Sequence, residues 1–178
     1  MAQKTEAPKK NVEPLKLDPS FKYEVMKEHD GETLKICFQC GSCTSSCPTA
    51  RFSDSYRPRT ILRLAQLGIR QKILPSPTLW LCTACFTCTD RCPQDVKVAS
   101  VLRVLRNLAV KEGQTPRIFI ELASNIYETG YAYKIPELRQ KKRETVGLPP
   151  LPKASLDRVD RLLELAGGSK LIKSKEAQ

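Results

Sequence analysis

Apolar residues recur at helical spacing in several stretches of the 178-residue chain, whereas the alternating patterns typical of strands are scarce. The clearest stretch predicts an amphipathic helix that begins near Val98 and ends at Gly113. Its apolar face is formed by Val98, Val101, Leu102, Leu105, Leu108 and Ala109. We therefore predict a mainly α fold.

Capping residues and apolar spacing predict further helices. They span Phe21–Glu28, Tyr56–Leu67, the stretch from Pro116 to Gly130, and the stretch from Ser155 to Gly167. Ser20 and Ser155 are expected to cap their helices. The helix after Pro116 is expected to bury Ile118, Phe119, Leu122, Ala123 and Ile126. Cys37–Cys47 and residues 134–152 lack a helical period and predict a loop and a linker.

All eight cysteines fall in two copies of one pattern, C-x₂-C-x₂-C-x₃-C-P. The first copy is Cys37–Pro48 and the second is Cys82–Pro93. Three thiolates spaced by two residues let one tight loop bond three irons of a 4Fe–4S cube, but that loop cannot also reach the fourth corner. In two-cluster proteins the fourth thiolate comes from the other copy.

We therefore predict two [4Fe–4S] clusters that are ligated across the copies. The first cluster is assigned to Cys37, Cys40, Cys43 and Cys92, and the second cluster to Cys82, Cys85, Cys88 and Cys47. Pro48 and Pro93 fix φ and lack an N–H, which suits a chain that turns away from a ligand. Because eight thiolates saturate two clusters, we predict no catalytic residue in this chain.

Apolar and basic residues surround the cysteines. The apolar neighbours are Ile36, Phe38, Trp80, Leu81 and Phe86, and we expect them to pack as a core that excludes water. The basic neighbours are Arg51, Arg57, Arg59 and Arg63. A solvated helix face that balances cluster charge is a better interpretation of these arginines than a docking patch. His29, the sole histidine, is expected to be solvated or to cap a helix end.

Charge and compartment define the alternatives. The N-terminal residues show no apolar leader, and no stretch reaches the roughly 18 apolar residues of a membrane span, so we expect a cytoplasmic chain without membrane contact. Cysteines in a reducing compartment are metal ligands more often than disulfides. The net charge of +11 leaves a zinc-stabilised nucleic-acid module as a distant alternative. Zinc sites would show paired C-x₂-C knuckles, and stacking aromatics are scarce, so no nucleic-acid partner is expected.

Three segments resemble the C subunits of the methanogen heterodisulfide reductases. They are Ile36–Pro48, Tyr56–Arg59, and Leu79–Pro93 with its Trp-Leu-Cys sequence. The cysteine pattern alone is shared with other α-helical ferredoxin domains, including subunits of fumarate reductases and of anaerobic glycerol-3-phosphate dehydrogenase. The Trp-Leu-Cys context and the compact size favour the heterodisulfide reductase family.

This resemblance implies an α-helical ferredoxin-like domain with two cysteine-rich cluster-binding loops. It also implies that the chain relays single electrons from a flavin-containing A subunit to a catalytic B subunit, which reduces the coenzyme M–coenzyme B disulfide. The cytosolic form of the family associates with a hydrogenase or a formate dehydrogenase. The chain has no adjacent cysteine pair, so it departs from the B subunits and is expected to be a non-catalytic electron-transfer subunit. An iron–sulfur subunit of a different oxidoreductase is the alternative.

The sequence predicts three regions. Residues 1–30 are an N-terminal arm and short helix that dock on a partner, and residues 31–112 are the two-cluster ferredoxin-like core. Residues 113–178 carry the C-terminal helices and a basic tail.

Overall fold

The computed structural model describes residues 14–152 and 154–168, and every regular element within these ranges is helical. The α-helices there are α1 Phe21–Lys27, α2 Ser42–Ser45, α3 Pro48–Phe52, α4 Pro58–Gln66, α5 Arg70–Ile73, α6 Thr87–Asp90, α7 Val98–Lys111, α8 Arg117–Thr129, α9 Glu137–Thr145 and α10 Leu156–Leu165. Two 3₁₀ helices, Gly31–Ile36 and Pro77–Leu81, each lead into a cysteine run. The mainly α prediction is confirmed.

The chain separates into two compact units, Met1–Arg106 and Asn107–Gln178. In the first unit, α1 packs against the 3₁₀ helix Gly31–Ile36 and against α4. The side chains of Phe21, Leu62 and Leu102 are almost completely buried. Burial of one such side chain stabilises the folded state by roughly 1.5–3 kcal/mol.

The predicted apolar face of α7 is confirmed, since all six of its residues are buried. The helical spacing of apolar residues in this part of the sequence therefore reflects packing in the fold. In the described part of the chain, no helix combines the length and the apolar character needed to cross a membrane.

Gly68 fixes the end of α4 to the chain before α1. Its carbonyl accepts a hydrogen bond of 2.8 Å from the Asp18 N–H. Its φ is +72°, and a Cβ at this position would lie 1.9 Å from the Asp18 carbonyl oxygen. Only glycine combines this left-handed backbone with so close an approach.

In the second unit, α8 packs against α10. The prediction for the buried face of α8 is wrong, because Ile120 and Ser124 are buried while Ile118 and Leu122 are exposed. Several apolar side chains on this helix allow more than one choice of face, and packing against α10 decides between them.

Four local predictions are also wrong. The loop predicted at Cys37–Cys47 contains α2, whose four residues are too few to show a helical period. The linker predicted at residues 134–152 contains α9, an exposed helix of charged helix-forming residues without an apolar face. Neither Ser20 nor Ser155 caps a helix through its side chain. Ser20 already has helical φ and ψ, and its hydroxyl donates to the Asp18 carboxylate instead.

Candidate iron–sulfur sites

The two cysteine runs have the same backbone path. Each run passes through left-handed φ at two places, two and four residues after its first cysteine. The φ values are 65° at Gln39 and 92° at Gly41 in the first run, and 53° at Ala84 and 61° at Phe86 in the second. Left-handed backbone is uncommon outside glycine, so its repetition at non-glycine residues marks a conformation that the surroundings enforce. The short helices α2 and α6 begin directly after these turns.

The two loops enclose two cavities, and each cavity takes three cysteines from one run and one from the other. The first, called site 1, is lined by Cys37, Cys40, Cys43 and Cys92. The second, called site 2, is lined by Cys82, Cys85, Cys88 and Cys47. The structure thus brings together the same quartets that the sequence assigned, and ligation by them stays a prediction.

The third cysteine of each run is buried. Cys43 is 8% exposed and Cys88 is 7% exposed. Burial raises the pKa of the Cys43 thiol and raises the pKa of Cys88 to about 11. A bound metal would reverse this preference, because coordination deprotonates a thiol outright.

The second cysteine of each run is exposed and lies beside a hydroxyl. Cys40 Sγ is 3.4 Å from Ser42 Oγ, and Cys85 Sγ is 3.5 Å from Thr87 Oγ1. These hydroxyl contacts are the main cause that lowers the pKa of Cys40 and of Cys85. Both positions therefore favour the thiolate, which is the form that binds iron.

The first turn of a long helix is hydrogen-bonded to each cysteine run. Thr44 Oγ1 accepts the N–H of Arg59, the second residue of α4, at 3.0 Å. Thr89 Oγ1 accepts the N–H of Ala99, the second residue of α7, at 3.1 Å. Thr44 and Thr89 each follow the buried third cysteine of their run. We therefore call Cys37–Cys47 with α4 half 1, and Cys82–Cys92 with α7 half 2.

Seven residues further along each helix, a second side chain braces the loop. Gln66 Nε2 donates to the Cys37 carbonyl at 2.9 Å and to the carbonyl three residues earlier at 3.1 Å. Arg106 Nη2 donates to the Cys82 carbonyl at 2.7 Å, and its Nε donates to the carbonyl three residues earlier at 3.0 Å. We call Gln66 and Arg106 the loop braces.

The side chains around the two cavities differ in polarity. Site 1 is also lined by Gln39, Arg59 and Gln94, whereas site 2 is also lined by Tyr56 and Phe86. Tyr56 is 1% exposed, and burial raises the pKa of its phenol well above the usual range. Its hydroxyl also contacts Cys82. Both linings are mainly apolar, and site 1 differs from site 2 by adding the charged Arg59 and the amides Gln39 and Gln94.

Comparison with known proteins shows which family the chain resembles. Residues 33–96 match a family described as a 4Fe-4S dicluster domain. The chain is 36% identical over 162 residues to the C subunit of the "H(2):CoB-CoM heterodisulfide,ferredoxin reductase" of Methanothermobacter marburgensis, a match that covers 88% of this chain and 86% of that protein. It is also 35% identical over 169 residues to the iron–sulfur C subunit of the CoB–CoM heterodisulfide reductase of Methanopyrus kandleri, with 88% of each chain covered.

The chain belongs to the family of heterodisulfide reductase C subunits. A shorter match, 40% identical over 129 residues, joins it to a C subunit from Methanocaldococcus jannaschii and covers 70% of this chain and 66% of that one. The chain is therefore an iron–sulfur electron-transfer subunit of an oxidoreductase complex.

The arrangement of thiols fits an iron–sulfur cluster better than a single zinc ion. Within residues 14–152 and 154–168, no group of three or more His, Cys, Asp or Glu side chains is close enough to hold one metal ion. The four thiols of each quartet instead line one shared cavity. A polynuclear cluster spans such a space, whereas zinc draws its four ligands toward one point.

The apolar side chains beside the cysteines do not form the predicted shield. Ile36, Phe38, Leu81 and Phe86 are between 43% and 60% exposed. Ile36 and Leu81 end the two 3₁₀ helices, and Phe38 and Phe86 lie in the cysteine runs that follow. His29 is exposed and makes an ion-pair contact with Asp30, in keeping with the solvated role predicted for it.

The loop braces are functional residues that sequence reasoning missed. Gln66 and Arg106 contact backbone carbonyls, and no motif spacing reports such contacts. The one available signal is their equal distance from the first turn of the two helices that follow the cysteine runs, because Arg59 to Gln66 and Ala99 to Arg106 are matched intervals.

Proposed function

We propose that the chain holds two [4Fe–4S] clusters and relays single electrons from a flavin-containing A subunit to a catalytic B subunit that reduces the coenzyme M–coenzyme B disulfide. Site 1 and site 2 are the proposed ligand sets. The observation that carries the proposal is the exchange of one cysteine between the runs, because it gives two complete thiol quartets on one small core.

When bound, each cluster takes up and gives back one electron without a change in the protein's covalent bonds. The chain's own residues hold the two sites near each other. Helices α2 and α6 pack together, and the charges of Cys43 and Cys88 influence one another. All eight thiols are used in ligation, so the proposed role is electron transfer without substrate binding.

Each site also reaches the surface. Cys40 and Cys85 are exposed, and they occupy the same position in the two runs. An electron-transfer partner can approach either ligand closely without opening the fold. One exposed ligand per site suits a relay that receives electrons at one site and passes them on from the other.

The proposed partners are the A and B subunits of heterodisulfide reductase, with a hydrogenase or a formate dehydrogenase in a larger complex. The names of two relatives support this choice. One is named for hydrogen and the other, from Methanococcus maripaludis, for hydrogen or formate. We further propose that residues 1–30 dock on a partner. Leu15 and Leu17, in the described part of this region, are exposed apolar side chains suited to such a contact.

Purification of the native complex through a tag on this chain tests the proposal. We expect the A and B subunits to co-purify. A complex depleted of this chain should lose donor-driven reduction of the heterodisulfide, and added holo-chain should restore it. A chain in which Cys43 and Cys88 are both replaced by Ser should fail to restore it. Undiminished reduction by the depleted complex would refute the relay.

A further inference from the structure

The two loop braces occupy matching places but differ in charge. Gln66 and Arg106 each donate to the carbonyl of the first cysteine of their run and to the carbonyl three residues before it. Gln66 is a neutral amide, whereas arginine stays protonated in proteins at any ordinary pH. The structure thus presents one brace geometry with and without a positive charge.

The charge of Arg106 lies close to site 2. Its Nη2 is 2.7 Å from the carbonyl oxygen of Cys82, one of the residues that line this site. Its guanidinium also lies 5.7 Å from the centroid of the Trp80 ring. The side chain is half-buried, so solvent and salt screen its charge less than they screen a surface arginine.

We propose that Arg106 is a positioning residue that also raises the reduction potential at site 2 above that at site 1. This inference rests on the proposed function, since it needs a cluster in each site. A positive charge near a cluster stabilises the reduced form, which carries one more negative charge. An electron added to the chain by dithionite should therefore reside mainly at site 2.

Other charged groups have a smaller influence. Arg59 lines site 1, but it is exposed, and its counterpart in half 2 is Ala99. Water screens an exposed charge much more strongly than a half-buried one. Near the second run, the neighbouring residues Asp90 and Arg91 have opposite charges that largely cancel.

Neutral donors near the sulfurs are matched between the sites. Gln39 Nε2 lies 3.4 Å from Cys37 Sγ, and the Ala84 N–H lies 3.4 Å from Cys82 Sγ. Gln66 Oε1 accepts from the same Gln39 amide at 3.3 Å, so half 1 has an all-neutral chain of contacts to its first cysteine. Arg106 is therefore the half-buried charge by which the two braces differ, and Arg59 is the exposed charge on the other side of the comparison.

The test is a redox titration of the anaerobic holo-protein, followed by EPR and visible absorption, with wild type compared with R106Q. This substitution gives half 2 the brace that half 1 already uses. We expect two midpoint potentials in wild type, the higher of which falls in R106Q by about the equivalent of a tenfold change in equilibrium, or about 59 mV for one electron. The lower midpoint should not move.

R106K and R59Q are the matched controls. R106K keeps the charge but cannot reproduce both carbonyl bonds, so it should stay near the wild-type potential while losing stability. R59Q should lower the other midpoint, and by less. A shift in R106K as large as in R106Q would overturn the inference, because geometry and not charge would then be responsible. If R106Q assembles poorly, R106M also removes the charge and takes its place, and a higher midpoint in R106M equal to that in R106K would overturn the inference.

The outcomes separate this inference from the proposed function. Iron content near four per chain would contradict the two-cluster function itself. A single redox wave from a chain with eight irons would contradict only the inference, because both sites would then have the same potential. Two redox waves whose midpoint potentials are the same in R106Q as in wild type would contradict only the role of Arg106. A shift of the lower midpoint potential in R106Q would also overturn the inference, because site 2 would then have the lower potential.

Discussion

Half 1 and half 2 use different residues to build one backbone geometry. The left-handed turn before the short helix is Gly41 in half 1 and Phe86 in half 2. The hydroxyl oxygens of Thr44 and Thr89 accept hydrogen bonds from the first turns of α4 and α7, at nitrogen–oxygen distances of 3.0 and 3.1 Å. The comparison teaches that one backbone geometry can be kept in both halves while side chains at equivalent positions differ in polarity and charge.

The halves also depend on each other. Each cavity is completed by the last cysteine of the opposite run, Cys92 for site 1 and Cys47 for site 2. Loss of the last cysteine in one half should therefore damage the site that is formed mainly by the other half. The predictions below test this dependence and the equivalence of the halves, from the largest expected effect to the smallest.

The largest effect is expected from loss of an exchanged cysteine. Cys92→Ala should damage site 1, and Cys47→Ala should damage site 2, each with loss of about half of the bound iron. Thiol alkylation under anaerobic conditions, followed by mass spectrometry, measures which cysteines become reactive. In Cys92→Ala the labelled residues should be Cys37, Cys40 and Cys43. Labelling of Cys82, Cys85 and Cys88 in that variant would contradict the exchange.

Substitutions to and from glycine at the left-handed turns should change stability with opposite signs. Gly41→Ala places a Cβ at φ +92° and should lower the free energy of unfolding by about 1–2 kcal/mol. The nearest atoms to that Cβ belong to the Arg59 side chain at 3.7 Å, so a clash is not the cause. Ala84→Gly, at φ 53°, should instead be neutral or stabilising by about 0.5 kcal/mol. Denaturant unfolding of the holo-protein measures both, and equal effects would contradict the assigned backbone.

The buried phenol should make half 2 sensitive to alkaline pH. Tyr56 has a raised pKa in the folded state because it is buried, so folding favours its protonated form. Its contribution to stability is complete below the pKa of the unfolded chain, about 10, and is lost as the pH rises above that value. Tyr56→Phe should lose about 1 kcal/mol near neutral pH and show a smaller further loss at alkaline pH. Parallel pH profiles for wild type and Tyr56→Phe would contradict this role.

The smallest effect is expected at the two helix ties. Thr44→Val and Thr89→Val each leave one helix N–H without its acceptor, at a cost of about 1 kcal/mol. Because the two ties are equivalent, the two variants should agree within about 0.5 kcal/mol. Thermal unfolding of both variants measures this. A large difference would show that one half dominates the stability of the first unit.

The sequence predicted those features that repeat or have a period. The apolar spacing from Val98 to Ala109 predicted α7, and the doubled cysteine pattern predicted two loops with exchanged fourth cysteines. Short features were harder, because α2 and α6 contain four residues each and no period can be read from so few. The loop braces could not be predicted at all, since Gln66 and Arg106 act on backbone carbonyls that only the folded chain brings within reach.

The most direct test of the account is a count of clusters in the anaerobically purified chain. Iron and acid-labile sulfide should each be near eight per chain, and dithionite-reduced samples should give EPR signals from two magnetically interacting [4Fe–4S]⁺ clusters. About four irons with one isolated signal, or zinc in place of iron, would contradict the claim that the chain holds two [4Fe–4S] clusters.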